Sequence, residues 1–470
     1  LPEQSAQTSP WRSASSLLES SYLRLQGITG TPLRDSFHLG QTLSNDYARP
    51  YQAGFNSIEG ISGTAQAGPL SLYVRAEYQH APSADGYSPA LFNTVSTIDL
   101  VPVASNPVQS TIPKGPIAST DALRIVEANL SYRLLNHQIS IGKSDHWLAP
   151  TTGGSFLYSN NAENIYAFQI DRTEPLRVPL LSRLTGPFRY EFFVGSLKGH
   201  TDPNSPWIHL EKINFKPTAN VEFGFSRSTI WGGRGHEPIT LHTFLKSFFS
   251  FQNVSLAEKQ SRYDPGARFG TFDFSWRLPF LSHWLTLYAD SLVHDDVSPV
   301  DAPRHAGIRP GLYLSEFPGI PRLDLRIEGV TTDPPTSRSN QGQYLYTEYI
   351  QAQGYTNKGF ILGDAVGREG KGGQAWLTYH LSPQEMVQLS FLNKKNAKDF
   401  IPQGTTQNSF DLRLVKRLRP GLELNADLQQ EWWKAPVYKT GRQSDTALTV
   451  RLTWFPQRPI GRPGAATAKP

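Results

Sequence analysis

After Tyr51, apolar and polar residues alternate with a period of two almost to the end of the chain. This is the spacing of a strand with two unlike faces. LSLYVRAEYQ sets Leu70, Leu72, Val74 and Ala76 against Ser71, Tyr73, Arg75 and Glu77. VEANLSYRL, FDFSWRL and LELNADLQQ repeat the pattern, and LTVRLTWF closes it with Leu448, Val450, Leu452 and Trp454 on one face. RLDLRIEG sets Leu323, Leu325 and Ile327 against Arg322, Asp324, Arg326 and Glu328. A soluble sandwich would place such charged faces outward, whereas a membrane barrel turns them into its lumen.

The connections separate the two architectures. Short turns are expected at Gly68-Pro69, 135–137, 216–220, 279–282, 317–321, 381–384 and 419–421. Long loops are expected near 81–122, 144–163, 230–265, 294–306, 333–372, 395–408 and 434–444. Segment 173–186 is too long for a clean turn. Short turns at one end and long loops at the other mark an outer-membrane barrel. About 17 strands run from residue 53 to 456, and a partner near 40–48 makes the number about 18 and even, as closure in lipid requires.

Before Tyr51 the text changes. Leu17, Leu18, Tyr22, Leu23 and Leu25 fall at roughly helical spacing, and Gly27 and Gly30 can stop a helix. The expected fold is therefore an all-β membrane protein, an antiparallel outer-membrane β-barrel of about 18 strands with a small N-terminal helical plug. It divides into 1–40 with short periplasmic-side helices, a barrel over 41–456 and a disordered, Pro- and Gly-rich tail over 457–470. TLHTFLKSFFSF at 240–251 reads as a short helix packed as a lid over the mouth.

Composition agrees. Hydrophobic content is only 38%, yet aromatics reach 11%, with 38 Gly and 36 Pro, as expected of many short strands and turns. No apolar run is long enough for a membrane helix, which leaves a barrel allowed. The charge of +5 is scattered, so no nucleic-acid footprint stands out. The absence of cysteine excludes disulfides and thiolate metal sites. Met386 is the only methionine, so the chain is expected to begin after a removed signal peptide or at a chosen boundary.

Candidate chemistry lies in the loops. His146 near Ser155 suggests a hydrolase, but no GxSxG elbow accompanies them. His294, Asp295 and Asp296 read as a solvated loop before a cation site. No catalytic residue, cofactor or metal is expected. Sugars are held by aromatic faces and planar polar groups. The loops supply both in Trp147, Tyr158, Asn160 and Asn161, in Trp231 and Arg234, and in Tyr349 and Tyr355. Arg75, Glu77, Arg322, Asp324, Arg326 and Glu328 are expected to line the lumen, chiefly as cross-strand ion pairs.

GKSDHWLAP, GGSFLYSNNA, LTGPFRYEFFVG, FSRSTIWGGRG and GYTNKGFILGDAVGREGKGG, in that order, resemble the capsule assembly protein Wzi family over nearly the whole chain. The resemblance implies an outer-membrane barrel with a periplasmic-side helical element that acts as a lectin for capsular polysaccharide and is not an enzyme. Gly153, Gly154, Ser155, Asn160 and Asn161 match the family pattern best, in positions that a structural role would also explain. Ala149 stands where a glycine is expected. The expected partners are capsular or exopolysaccharide, outer-membrane lipids and the barrel-assembly machinery. A monomer is expected, with long loops extracellular and both termini periplasmic. The alternative is a porin-like or saccharide-conducting channel.

Overall fold

The computed structural model describes residues 14–101, 111–252, 254–335 and 341–456. The first 13 residues of the expected 1–40 segment and the expected 457–470 tail lie outside these residues. The chain forms a closed 18-stranded antiparallel barrel. Its strands are β1 (Ala14–Gly30), β2 (Gly54–Ala67), β3 (Leu70–Ala81), β4 (Thr120–Leu134), β5 (His137–Lys143) and β6 (Tyr166–Arg172). Then follow β7 (Phe188–Ser196), β8 (Trp207–Thr218), β9 (Val221–Trp231), β10 (Ala267–Arg277), β11 (Leu285–His294) and β12 (Gly307–Leu314). The barrel ends with β13 (Leu323–Thr331), β14 (Gly370–Ser382), β15 (Glu385–Asn396), β16 (Thr405–Arg419), β17 (Leu422–Ala435) and β18 (Lys439–Trp454). Each strand pairs with its sequence neighbour, and β1 closes the ring on β18 from Ser21↔Trp454 to Gly30↔Asp445. Closure leaves no unpaired edge, the condition for a sheet in hydrocarbon.

The first strand corrects the sequence reading. Residues 14–30 are a stave of the wall and not a helix, so the barrel begins well before residue 41. The register of β1 against β2 shifts between Leu18 and Ser20. This bulge breaks the alternation and leaves leucines at a spacing that imitates a helix. The partner expected near 40–48 is thus β1 itself. Residues 34–35 and 40–41 pair only with each other, in a small hairpin within the 31–53 loop.

The expected faces hold except at Val126, expected outside with Leu130 but buried where a bulge skips it in the pairing with β3. Leu428, Leu448, Leu452 and Ile327 remain 40–51% exposed on the outer wall. Arg75 meets Glu127 at 3.0 Å inside. The seven short turns fall where expected. One long loop does not: β17 and β18 are joined by residues 436–438 alone. Segment 173–187 carries a short helix at Leu181–Thr185.

The plug is built from loops. Residues 144–165, 31–53 and 341–369 fold inward from the long-loop end. Phe156, Leu157, Tyr158, Tyr346, Tyr355, Ile361 and Leu362 form one buried cluster with the wall residues Phe193, Leu210, Ile230, Phe269 and Leu292. Above it, the helix α1 (Pro89–Ile98) from the 82–119 loop lays Leu91, Phe92 and Val95 on Leu33, Leu39, Phe400 and Trp433. The lid therefore comes from 89–98. The helix expected at 240–251 forms as α2 (Leu241–Phe248) but packs against the outer wall, on Phe192, His209 and Trp231.

Candidate functional site

Three polar anchors hold the loops in the lumen. The first centres on Arg309 of β12, which is fully buried. Asp364 of the 332–369 loop accepts its Nε and Nη2 at 2.6 and 2.8 Å, and Glu328 of β13 accepts Nη1 at 3.0 Å. Glu328 also accepts the backbone N–H groups of Thr152 and Gly153 at 2.7 and 3.0 Å and the Tyr288 hydroxyl at 2.8 Å. One wall carboxylate thereby fixes the tip of the 144–165 loop. Gly153 and Gly154 are explained by this crowding. A Cβ on Gly153 would strike the Gln374 amide and the Arg309 guanidinium, and one on Gly154 the Asp364 carboxylate. Ser155 is buried beside them.

The second anchor joins three loops. The His38 ring lies between Asp35, with Nδ1 at 3.1 Å, and Asp99, with Nε2 at 2.8 Å. Arg368 donates to the other Asp99 oxygen at 2.5 Å, and its guanidinium sits over the Phe37 and Phe400 rings at 4.4 and 4.6 Å. Burial alone would lower the His38 pKa, but the Asp99 and Asp35 carboxylates outweigh it and push it up to about 9. Burial likewise would raise Asp99, but His38 and Arg368 hold it down at about 2. The cluster is thus a compensated set of charges, with both carboxylates facing cations.

The third anchor ties the 31–53 loop to β1 and β3. Asp46 pairs with Arg24 at 2.7 Å and with Arg49 at 2.5 Å, and Arg49 also grips Glu77. Burial would raise the Asp46 pKa, but the two guanidinium groups bring it to about 2. Below the plug, two polar cavities of about 480 and 540 Å³ remain toward the short-turn end. Tyr73, Glu127, His146 and Glu191 line the first, while Arg24, Glu77, Arg413 and Arg451 line the second.

The structure separates the sequence-predicted residues. Tyr158, Asn161, Trp231 and Tyr355 are at most 1% exposed, so no external polymer reaches them. Asn161 donates to Ser36 and to the Ile361 carbonyl, and the Tyr355 hydroxyl donates to Ser228 at 2.9 Å. Asn160 donates to Tyr47 at 3.1 Å, and the Trp147 indole donates to the Thr151 carbonyl at 2.8 Å. Arg234 and Tyr349 are exposed, on different loops. Arg75, Glu77, Asp324, Arg326 and Glu328 face the lumen, whereas Arg322 sits exposed in the turn before β13 and bonds the Leu381 carbonyl. His146 pairs with Glu191 at 2.7 Å and packs on Tyr158 and Phe193, so it is held as a structural ion pair. Asp295 and Asp296 are paired with Lys259 and His305. Among the described residues no group of three or more His, Cys, Asp or Glu side chains could hold a metal ion.

Sequence reasoning missed a groove of about 420 Å³ at the long-loop end, between the starts of the 31–53 and 82–119 loops and the 436–438 turn. Arg34, Gln52, Asp85, Ser88, Tyr438 and Lys439 line it. Arg34 donates to the Gln52 amide and to the Asp85 carbonyl, and Lys439 to Thr31 at 3.1 Å. The Tyr438 ring is fixed by stacking on Trp433 at 5.7 Å and by the edge of Tyr87 at 5.2 Å. The groove thus joins a held aromatic ring to two cations and an amide. The only sequence signal is Tyr438, which falls within the long loop expected at 434–444.

The family model for capsule assembly protein Wzi matches residues 24–448. This chain belongs to that family. In fold it is similar to a protein described as Wzi, an outer membrane protein involved in group 1 capsule assembly in Escherichia coli and a carbohydrate-binding β-barrel. That likeness has a TM-score of 0.66 at 16% identity, over 93% of this chain and 84% of the other. OprD of Pseudomonas aeruginosa aligns over 98% of this chain and 100% of its own, at 10% identity and a TM-score of 0.47. A Klebsiella pneumoniae protein named as an uncharacterized 55.8 kDa protein in the cps region is 26% identical over 164 residues. That match spans 35% of this chain and about a third (31%) of the relative. Family and fold together place the barrel in the outer membrane, in a role connected with surface polysaccharide.

Proposed function

We propose that this Wzi-family barrel binds capsular or extracellular polysaccharide non-covalently and attaches or organises it at the cell surface. The observation that carries the reading is the groove at the long-loop end. Arg34 and Lys439 offer charge-assisted donors, Gln52 a planar amide and Tyr438 an immobilised ring, which is the chemistry that holds sugars bearing acidic groups. A repeating polymer meets such a site many times, so retention comes from avidity across many copies of the protein. In this reading the long loops are extracellular, the chain ends are periplasmic and the protein acts as a monomer inserted by the barrel-assembly machinery. The carbohydrate-binding description of the similar Escherichia coli barrel and the capsule-assembly family support it.

The competing reading, a saccharide-conducting channel, requires a path through the buried cluster around Phe156, Tyr346 and Tyr355. The test is binding of the purified barrel, in detergent or nanodiscs, to the host's surface polysaccharide and to unrelated polymers. Selective binding that falls about tenfold in Arg34→Ala, the cost of losing one charged hydrogen bond, is expected. No binding by the wild type, or a large steady conductance in a planar bilayer, refutes the reading.

A further inference from the structure

We infer that α2, with Phe249 and Phe251 just beyond it, is embedded in the outer leaflet, as a lateral element between the barrel wall and the lipid acyl chains. The argument starts on the wall. On β8 and β9 the inward residues are Leu210, Lys212 and Ser228, which leaves His209, Glu211, Arg227 and Trp231 on the outer face. Arg227 stands about 15 Å above Val221, the first residue of its strand, at roughly 3.3 Å per residue and a tilt of about 40°. Val221, Phe223 and Phe225 precede it on the same outer face. A lipid-facing band is about 25 Å tall, so Arg227 and Glu211 fall within it, where a bare charge is unfavourable, an arginine more so than a glutamate.

The helix removes that exposure. Arg227 donates to the carbonyls of Ser247, Phe248 and Ser250 at 2.9, 2.6 and 2.5 Å. Arg268, on the adjoining outer face of β10, donates to the Gln252 carbonyl at 2.5 Å. His209 sits between Glu211, at 2.6 Å, and the Ser247 hydroxyl, at 2.8 Å. Phe244 and Phe248 fill the space against Phe192 and His209.

The polarity of α2 is inverted relative to a water-facing helix. Its buried residues are Thr243 and Ser247. Leu241, Leu245 and Phe249 recur every fourth residue on the far face and are 72%, 42% and 64% exposed. Phe251 and Leu256 extend the exposed apolar strip at 57% and 58%. A helix that turns hydroxyls inward and leucines outward has no water-facing rationale. It continues the apolar belt of the wall outward, and the occupant continuous with that belt is the acyl chain of the outer leaflet. Lys246 and Arg262, both over the Tyr263 ring at 5.2 and 5.1 Å, lie close enough in the chain to reach headgroup level.

The chain has no cysteine, so single sites can be labelled without background. Leu245→Cys, Leu428→Cys on the bare wall and Ser83→Cys on the long-loop surface would each carry a bimane fluorophore in phosphatidylcholine vesicles. Quenching would be read with nitroxide-bearing acyl chains and with iodide in the water. The label at 245 is expected to behave as the label at 428 does, losing most of its emission to lipid nitroxide and little to iodide, with 83 the reverse. Iodide quenching at 245 equal to that at 83 overturns the inference, as does equal quenching by both probes. Heat-modifiable migration of each labelled protein confirms that the barrel is folded. Leu241→Cys repeats the test if the label at 245 disturbs assembly.

Discussion

Arg309→Met removes the cation on which the central plug anchor turns while keeping most of the side-chain volume. Two buried carboxylates then lose it, Asp364 through two bonds and Glu328 through one. Removing one partner of a buried pair costs about 3–5 kcal/mol. Here Asp364 keeps the Val366 N–H at 2.8 Å, and Glu328 keeps Thr152, Gly153 and Tyr288. The cost therefore belongs near the lower end, about 3 kcal/mol, a factor of about 100 in local opening at 1.4 kcal/mol per tenfold. The barrel wall is held by its own ladders, so the opening is confined to the plug. Hydrogen–deuterium exchange read by mass spectrometry is the direct assay. Peptides from 144–165 and 356–366 are expected to exchange about 100-fold faster, while peptides from β16 to β18 keep the wild-type rate. Unchanged exchange in 144–165 would refute the claim that this ion network holds the loop in the lumen. Equal acceleration in the wall strands would refute the claim that plug and wall open separately.

Gly153→Ala forces a methyl group into the Gln374 and Arg309 side chains and is expected to cost about 1–3 kcal/mol, visible as a lowered thermal midpoint. His38 has its pKa raised in the folded state, so its contribution is complete below its ordinary value of 6.5 and is lost as pH rises through about 9. Proteolysis of the 31–53 and 82–119 loops is therefore expected to accelerate between pH 7 and 10, and His38→Gln to flatten that dependence. Asp99 has the opposite sign: its contribution is present above 3.8 and is lost as pH falls toward 2, so the same loops loosen again in strong acid. Wild-type protein in a planar bilayer is expected to stay closed, and shortening the 144–165 loop to a tight turn to give steady conductance. Steady current through the intact protein would show that the buried cluster is no seal.

Period-two patterning settled the barrel, its inward and outward faces and its even strand number from the sequence alone. These follow from one local fact, that successive side chains on a strand point to opposite sides, together with the rule that no edge is left open in lipid. The opening strand escaped because one bulge at 18–20 reverses the parity and sets leucines at helical spacing. The loop motif 144–165 was legible as a motif but not as a shape. Gly153 and Gly154 suit an exposed turn as well as a tight approach. Only the tertiary fold, which brings Arg309, Asp364 and Glu328 to them from distant parts of the chain, makes them the tip of a plug. Aromatic residues in loops carry the same ambiguity. Tyr158 and Tyr355 were drawn into the core and Tyr438 was left at a groove, according to which way each loop folded. Composition records that a ring is present; whether it packs or binds is decided by the long-range contacts that set the loop's direction.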